Sequence, residues 1–281
     1  MCALLAAPLM IVSSGLEPAA ADQPDMPVMA AAGNPDVPLP VIADNPAVRQ
    51  PGKRPYFANR HYQILARVKR GGVDLVFIGD SITQNYEKNI LPNEDFAPTW
   101  NKFYGDRNAV NMGFSGECTD GAIWGVENGE LDGISPKVVV ILIGSNNDLV
   151  MHCTAEQTAA GIGVLVDKVH GKVPGAKILL LGILPSHAVR WVGNAAQKSA
   201  TDRAVNRMLA AAYRSHPFVT YLDIGRVFLN PDGTLNEDIF YDRQDDGNGS
   251  IHPNTRGQRL MAEAIEPTLS KLFGDKDKTK P

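Results

Sequence analysis

Ser81 and His252 are the two side chains of this sequence whose types and settings best fit acyl-transfer chemistry. Ser81 closes the turn Gly79-Asp80-Ser81 at the end of an apolar run, and His252 lies in Ser-Ile-His-Pro-Asn, just before the last predicted helix. A serine hydroxyl becomes a nucleophile near neutral pH when a base takes its proton, and an imidazole suits that task. On its own, the turn fits the cap of a helix equally well. The pair is therefore a hypothesis that needs support from elsewhere in the chain.

Two further turns offer hydrogen-bond donors to such a site. They follow the next two predicted strands along the chain, as Asn111-Met112-Gly113-Phe114-Ser115-Gly116-Glu117 and Gly144-Ser145-Asn146-Asn147-Asp148. Acyl transfer passes through a tetrahedral oxyanion, which a backbone N–H at a glycine and the amide of an asparagine can stabilise. In a parallel sheet the carboxyl ends of the strands lie at one edge, where ligands bind. We therefore expect all three turns to open into one crevice.

The elements that must position these turns are read from the spacing of apolar residues. Short apolar runs rich in β-branched residues predict buried strands, and apolar residues at helical spacing predict amphipathic helices. The predicted strands are 73–78, 109–112, 137–143, 177–183 and 219–222, and the predicted helices are 57–69, 100–104, 119–131, 155–170, 195–213 and 254–273. Strands and helices alternate with short connections, so the predicted fold is α/β, with a mostly parallel five-stranded sheet covered on both faces.

The N-terminal region predicts export. Residues 3–12 form an apolar stretch that is too short to span a bilayer, and Ala19-Ala20-Ala21 has the small residues of a signal-peptidase site. We therefore expect a signal peptide at 1–21 and a periplasmic or extracellular mature chain without a transmembrane span. The net charge is −4, without a run of Lys or Arg, which argues against a nucleic-acid partner.

The rest of the chain divides into a linker, a domain and a tail. Half of the twenty prolines precede residue 56, and residues 22–55 have no apolar period. Such a segment buries too little surface to offset the entropy of ordering it, so we predict a Pro/Ala-rich disordered linker at 22–55. We predict one domain at 56–275 and a charged tail at 276–281.

Four sequence blocks, in this order, resemble the SGNH (GDSL-type) hydrolase family and, within it, the platelet-activating-factor acetylhydrolase-like acylesterases. They are Val-Asp-Leu-Val-Phe-Ile-Gly-Asp-Ser-Ile-Thr at 73–83, Asn-Met-Gly-Phe-Ser-Gly at 111–116, Ile-Gly-Ser-Asn-Asn at 143–147 and Ile-His-Pro-Asn at 251–254. The similarity extends from about Arg60 to Leu272. It implies a flavodoxin-like three-layer α/β/α sandwich, a small-molecule, carbohydrate or lipid ester as substrate, and neither a metal ion nor an organic cofactor.

The resemblance also assigns the site residues. Ser81 is the expected nucleophile and His252 the expected base. The expected oxyanion donors are the N–H groups of Ser81 and Gly113 and the side chain of Asn146. One position departs from the family: the acid that stands three residues before the histidine is replaced here by Gly249.

An insertion at 243–248 relative to the family leaves three alternatives for the acid. Counting forward from Pro231-Asp232-Gly233-Thr234-Leu235, which also resembles the family, places it at Asp242. Asp246 is the runner-up, because the flexible Gly-Asn-Gly that follows it could turn it toward His252. The third alternative is a Ser–His dyad, with all the acids of this segment in solvent.

Cys118 and Cys153 would remain after removal of the presequence, which contains Cys2. They follow the second and third strand-end turns, which should be neighbours. In an exported protein two such cysteines can be oxidised. We therefore predict a disulfide between them, with two small buried thiols as the alternative.

These observations predict an exported serine-dependent carboxylic-ester hydrolase that removes a short, acetyl-type acyl group from a carbohydrate or a lipid. Gly249 motivates an alternative, an envelope acyl-transfer or binding protein on the same fold with weakened hydrolysis. A flavin or nucleotide binder is disfavoured, because the chain has neither a Gly-x-Gly-x-x-Gly turn nor a P-loop lysine in the right context.

Overall fold

A parallel sheet of apolar strands organises the fold. The computed structural model describes residues 37–49, 57–187, 194–242 and 249–280. The strands within these ranges are β1 (Leu75–Gly79), β2 (Asn89–Ile90), β3 (Glu94–Asp95), β4 (Ala109–Gly113), β5 (Val138–Leu142), β6 (Lys177–Leu181) and β7 (Val219–Leu222). Five of them form one sheet in the order β4-β1-β5-β6-β7, with every neighbouring pair parallel, and β2 and β3 form a small antiparallel hairpin.

Helices connect the strands and cover the sheet. In the described part of the chain the α-helices are α1 (Ala58–Lys69), α2 (Ser81–Gln84), α3 (Ala97–Tyr104), α4 (Thr119–Gly125), α5 (Ser145–Met151), α6 (Ala155–Lys172), α7 (Ala195–Ala212) and α8 (Thr255–Phe273). Shorter helical turns are Pro46–Val48, Asn85–Glu87, Val126–Glu130, Gly225–Phe228 and Glu237–Ile239.

The sheet has a hydrophobic core on each side, because successive residues of a strand point to opposite faces. On one face, Val76 and Ile78 of β1 pack with α1, α4, α6 and α7. On the other face, Leu75 and Phe77 of β1 pack with α3 and α8. The predicted three-layer α/β/α sandwich with a five-stranded parallel sheet is thus confirmed, and each predicted strand and helix occurs near its predicted bounds.

Part of the predicted linker belongs to the domain. The structure corrects the predicted disorder for 37–49, where Asn45 is buried. The Asn45 amide donates to the Gln157 carbonyl at 2.9 Å, and the Thr119 hydroxyl donates to the Ala47 carbonyl at 2.7 Å. Composition could not indicate this packing, because it depends on a few polar groups that find partners on α4 and α6.

The structure does not test the prediction for the N-terminal region. The predicted signal peptide at 1–21 lies outside the described residues, as do the linker residues 22–36 and 50–55. Among the residues that the structure describes, no helix combines the length and the apolar character needed to cross a bilayer.

The predicted charged tail is attached to the domain. Arg107 is buried and pairs with Glu266 on α8 and with Asp275 just after that helix, each at 2.7 Å. The Lys278 N–H donates to the Glu266 carboxylate at 3.0 Å, and the Lys278 ammonium donates to the Phe103 carbonyl at 3.0 Å. The chain beyond 275 therefore stays on α3 and α8 as far as Lys278.

Candidate active site

Ser81 is held at the carboxyl end of β1 by a tight turn. A Cβ atom on Gly79 would lie 2.1 Å from the Thr83 hydroxyl oxygen, so this position needs glycine. The Asp80 carboxylate accepts the Ile82 N–H at 2.9 Å and caps α2, whose first residue is Ser81. The close approach of β1 to α2 and the cap together fix where the serine hydroxyl lies.

The structure brings Ser81, His252 and Asp242 into one hydrogen-bonded chain. The Ser81 Oγ–His252 Nε2 distance is 2.7 Å, and the His252 Nδ1–Asp242 Oδ2 distance is 2.5 Å. With the imidazole proton on Nδ1, the ring donates to the carboxylate and Nε2 accepts the serine hydroxyl proton. This is the arrangement of a nucleophile, its base and the acid that orients the base. The contacts are observed, and the catalytic roles stay a prediction.

The backbone also fixes the Asp242 carboxylate. Its Oδ1 accepts the N–H groups of Ile251 and His252 at 3.0 and 2.8 Å, and the residue is 9% exposed. Of the acids considered from the sequence, Asp242 is thus the one that the structure places against the imidazole. Asp246 lies outside the described residues, and Gly249 has a left-handed φ of 85°.

Tyr241 packs on the imidazole, a contact that no sequence motif indicated. Its ring stacks on that of His252, with centroids 5.5 Å apart and planes 10° from parallel. Its hydroxyl accepts hydrogen bonds from the Asn85 amide and the Lys88 ammonium, both at 3.1 Å. Burial raises the pKa of this hydroxyl. The ring therefore stays neutral and is held between the histidine and the segment that follows α2.

The predicted oxyanion donors lie at the carboxyl ends of three adjacent strands. β1 pairs with β4 on one side and β5 on the other, which sets Gly79 beside both Gly113 and Leu142. The Ser81 N–H belongs to the first turn of α2, where backbone N–H groups have no acceptor within the helix. Asn146 lies in the first turn of α5, which follows β5 closely. The three turns therefore share one edge of the sheet, as expected.

The Gly113 N–H is already engaged. It donates to the Asn111 Oδ1 at 2.9 Å, and the Asn111 Nδ2 donates to the Thr83 carbonyl at 2.8 Å. A Cβ atom on Gly113 would lie 2.4 Å from the Gln84 nitrogen, so β4 can approach α2 this closely only with glycine here. As an oxyanion donor, Gly113 would share its proton with Asn111, whose side-chain contacts no motif in the sequence indicates.

Asn146 and Asn147 have different surroundings. One N–H of the Asn146 amide donates to the Glu117 carbonyl at 3.0 Å, and the other has no acceptor among the residues that the structure describes, so it can face a ligand. Asn147 is buried, and its amide both accepts the Thr119 N–H at 3.1 Å and donates to the Thr119 hydroxyl at 2.8 Å. Asn147 thus fixes α5 against α4 and supports the turn that carries Asn146.

Replacing Asn146 with alanine tests its predicted place in the oxyanion hole. We expect kcat to fall by about 10² to 10³ with little change in KM, because the amide would stabilise the transition state more than the bound ester. Steady-state kinetics with p-nitrophenyl acetate measures both constants. A change confined to KM would show that Asn146 only binds substrate. Asn128→Ala is the control, since this exposed amide also donates to a backbone carbonyl, and it should leave kcat unchanged.

Asp80 is a buried carboxyl directly before the serine. It is 2% exposed, and burial raises its pKa to about 6, although the Ile82 N–H and the electrostatic interactions with His252 and Lys198 act in the opposite direction. In an unfolded chain the pKa of the same carboxyl is about 3.9. Between these two values the folded protein keeps a proton that the unfolded chain has lost. The stability of the fold therefore decreases as the pH rises through this window.

Asp80→Asn should raise the free energy of unfolding by about 1–3 kcal/mol near pH 7.5, because it removes a buried charge. The asparagine Oδ1 can still accept the Ile82 N–H. Most of the gain should disappear near pH 4, where Asp80 of the folded protein is protonated. Urea unfolding at both pH values measures the difference, and the exposed Asp167→Asn is the control, expected within about 0.5 kcal/mol of wild type. Equal stabilities near pH 7.5 would contradict the prediction.

Cys118 and Cys153 are both buried as thiols and are not joined to each other. The Cys118 Sγ lies 3.9 Å from the Gly116 carbonyl oxygen. Burial, followed by the carboxylates of Asp120 and Asp148, raises the pKa of the Cys153 thiol to about 11. The structure corrects the predicted disulfide in favour of its alternative, and so high a pKa leaves little reactive thiolate at neutral pH.

Comparison with known sequences matches this chain to one family over the segment that holds the site. The model of the GDSL-like lipase/acylhydrolase family matches residues 77–260. Platelet-activating factor acetylhydrolase IB subunit alpha1 of Bos taurus is 32% identical over 215 residues, which cover 76% of this chain and 82% of that protein. The alpha2 subunit of Gallus gallus is 32% identical over 184 residues, which cover 66% of this chain and 73% of that protein.

Solved structures share the architecture. A GDSL-like lipase from Bacteroides thetaiotaomicron superposes with a TM-score of 0.56 at 19% identity, covering 77% of this chain and 96% of its own. A family 3 carbohydrate esterase from Talaromyces cellulolyticus superposes with a TM-score of 0.53 at 19% identity, covering 73% of this chain and 99% of its own. At these identities the likeness concerns the fold.

Proposed function

The chain belongs to the GDSL-like lipase/acylhydrolase family, and on this premise we propose that Ser81, His252 and Asp242 form its catalytic triad. The protein is an ester-hydrolysing enzyme, as its family and its relatives at 32% identity show. One observation carries the assignment of the triad. It is the 2.7 Å contact of the Ser81 hydroxyl with an imidazole whose other nitrogen faces a carboxylate.

The first half-reaction forms an acyl-serine. His252 Nε2 takes the hydroxyl proton as the Ser81 Oγ attacks the ester carbonyl carbon, and Asp242 stabilises the imidazolium that results. The N–H groups of Ser81 and Gly113 and the Asn146 amide stabilise the oxyanion. When this intermediate collapses, the imidazolium gives its proton to the departing alcohol.

The second half-reaction returns the enzyme to its starting state. A water molecule gives a proton to His252 and attacks the acyl-serine, and the same donors stabilise the second oxyanion. Collapse of this intermediate breaks the bond to the Ser81 oxygen, which takes the proton back from the imidazolium. One ester and one water have then become one carboxylic acid and one alcohol.

We propose that the acyl group is short, of the acetyl type, and that the alcohol belongs to a carbohydrate or a lipid. A relative at 32% identity bears the name platelet-activating factor acetylhydrolase, which supports an acetyl group.

We further propose export to the periplasm or the extracellular space. The support is the apolar stretch 3–12 followed by Ala19-Ala20-Ala21. N-terminal sequencing of protein recovered from the exported fraction should find a mature chain that starts near Asp22. Uncleaved protein that stays in the cytosolic fraction would contradict export.

The alternative of an acyl-transfer or binding protein with weakened hydrolysis is disfavoured. It was suggested by Gly249, which stands where the family has its acid. In the structure the Asp242 carboxylate contacts His252 from the other side of the insertion. The site therefore has an acid in contact with its histidine.

A series of p-nitrophenyl esters, with and without a serine-directed phosphonate, tests the proposed function. We expect kcat/KM to be highest for the acetate and to decrease as the acyl chain lengthens. The phosphonate should label Ser81 once per chain, detected by mass spectrometry, and stop turnover. A preference for long acyl chains would contradict the short acyl group, and full activity after treatment would contradict a serine nucleophile.

A further inference from the structure

A cluster of three charged side chains, two of them buried, lies beside α5, the helix that carries Asn146. Lys198, in the first turn of α7, has no exposed side-chain surface. Its ammonium lies 2.5 and 2.6 Å from the two carboxylate oxygens of Asp202, one helical turn further on. It also lies 3.5 Å from the Oδ1 of Asp148 on α5. The proposed mechanism uses none of these three charged residues.

The contact with Asp148 is the one that reaches the proposed oxyanion hole. Asp148 follows Asn146 by two residues within the seven residues of α5. Its Oδ1 is buried and accepts no hydrogen bond from the residues that the structure describes, so the Lys198 charge is what compensates it. A carboxylate oxygen buried without a compensating charge is destabilising, although 14% of the Asp148 side chain stays exposed. The ion pair therefore adds a link from α7 to α5, beside the contacts of Asn147 with α4.

The same ammonium also acts on the turn of the nucleophile. Its positive charge is one of the influences that lower the pKa of Asp80, which burial otherwise raises. Asp80 caps α2 and directly precedes Ser81. This influence is electrostatic and acts on a carboxyl that the Ile82 N–H already holds, so the direct contact of Lys198 with a strand-end turn is the one with Asp148.

We propose that Lys198 is a positioning residue, which holds α5 through Asp148 so that the Asn146 amide faces the developing oxyanion. The two-oxygen contact with Asp202 keeps the ammonium in a fixed place on α7, and the longer contact with Asp148 connects it to α5. The inference rests on the proposed function, because it needs Asn146 as an oxyanion donor. Displacing a reacting group by about 1 Å can cost on the order of 10²-fold in rate.

A double-mutant cycle between Lys198→Met and Asn146→Ala tests the inference. Methionine keeps much of the apolar stem and removes the charge. We expect Lys198→Met alone to lower kcat by about 10- to 100-fold with KM nearly unchanged. In the Asn146→Ala background the same change should have almost no further effect on kcat, because the group that Lys198 positions is gone. Equal losses in both backgrounds, the result of a general structural role, would overturn the inference.

Asp148→Asn removes the Lys198–Asp148 ion pair from the α5 side. It replaces the first test if the Lys198→Met variant does not fold. It leaves the Lys198–Asp202 pair intact and changes the side-chain shape little. We expect a loss of about 3- to 10-fold in kcat, again absent when Asn146 is alanine. If Asp148→Asn lowers kcat by the same factor with Asn146 and with Ala at position 146, that result by itself overturns the inference. Lys172→Met is the control, since it removes a surface ion pair of 2.7 Å and should leave kcat unchanged.

The outcomes distinguish a failure of this inference from a failure of the proposed function. If Asn146→Ala leaves kcat unchanged, Asn146 is not an oxyanion donor, and both that step of the proposed mechanism and the inference are wrong, while the triad is tested separately. If Asn146→Ala lowers kcat as expected and the Lys198→Met loss adds to it, the mechanism stands and only the positioning role is wrong.

Discussion

Replacing Ser81 with alanine is expected to lower kcat by about 10⁴ to 10⁶, the loss typical of removing a triad nucleophile. The Ser81 Oγ is the atom that contacts His252 Nε2, and alanine has no atom that can form the acyl intermediate. The rate of p-nitrophenyl acetate hydrolysis measures the effect. A variant that keeps more than a tenth of the wild-type kcat would rule out Ser81 as the nucleophile.

The Ser81→Ala variant should fold like the wild type, so that its loss of activity is chemical. The turn is held by the Asp80 cap and by the close approach at Gly79, and neither involves the serine hydroxyl. Far-UV circular dichroism and the urea midpoint should therefore be unchanged. Ser135→Ala is the matched control, because Ser135 is an exposed serine just before the amino end of β5, at the opposite edge of the sheet from Ser81, and its loss should not change kcat.

His252→Ala should cost about as much as Ser81→Ala, because the two residues act as a unit. For the same reason, the double variant should be no slower than either single variant. Losses that multiply would mean that the serine and the histidine act in separate steps. That result would contradict the role of the 2.7 Å contact between them.

The large elements of the fold could be predicted because their signals are local. β5 is Val-Val-Val-Ile-Leu, which is apolar throughout, and α8 has apolar residues at helical spacing after the Asn254 cap. The two-residue strands β2 and β3, Asn-Ile and Glu-Asp, carry no such pattern. They pair because the chain folds back on itself, with the Phe96 N–H donating to the Lys88 carbonyl at 3.1 Å.

The candidate site likewise contains residues that local motifs predict and contacts that only the folded chain makes. Ser81 and His252 could be identified because each lies in a recognisable block at the boundary of a strand or a helix. The stacking of Tyr241 on the imidazole and its bond to Asn85, 156 positions away, depend on side-chain geometry that no local pattern encodes. The choice between a disulfide and two buried thiols could not be made from the sequence for a related reason. Neighbouring turns bring cysteines near each other, but the direction of each side chain decides whether they can join.

Asp242→Asn is the second large effect, with kcat expected to fall by about 10² to 10⁴ and KM nearly unchanged. The Asp242 Oδ1 accepts two backbone N–H groups, and its Oδ2 faces His252 Nδ1. An asparagine oxygen can keep the two backbone bonds, which turns the amide NH₂ toward Nδ1. A donor cannot accept the Nδ1 proton, so the imidazole is driven to the tautomer with its proton on Nε2. In that tautomer it cannot take the proton of Ser81.

The acids of the insertion are the controls for this prediction. Asp245→Asn and Asp246→Asn change the net charge as Asp242→Asn does, and both should leave kcat unchanged. If Asp246→Asn is damaging and Asp242→Asn is silent, the count from Pro231 is wrong and the acid comes from the middle of the insertion. If none of the three changes matters, the enzyme is a Ser–His dyad. Because all three are nearly isosteric and remove one carboxylate each, only the position of the carboxylate can make them differ.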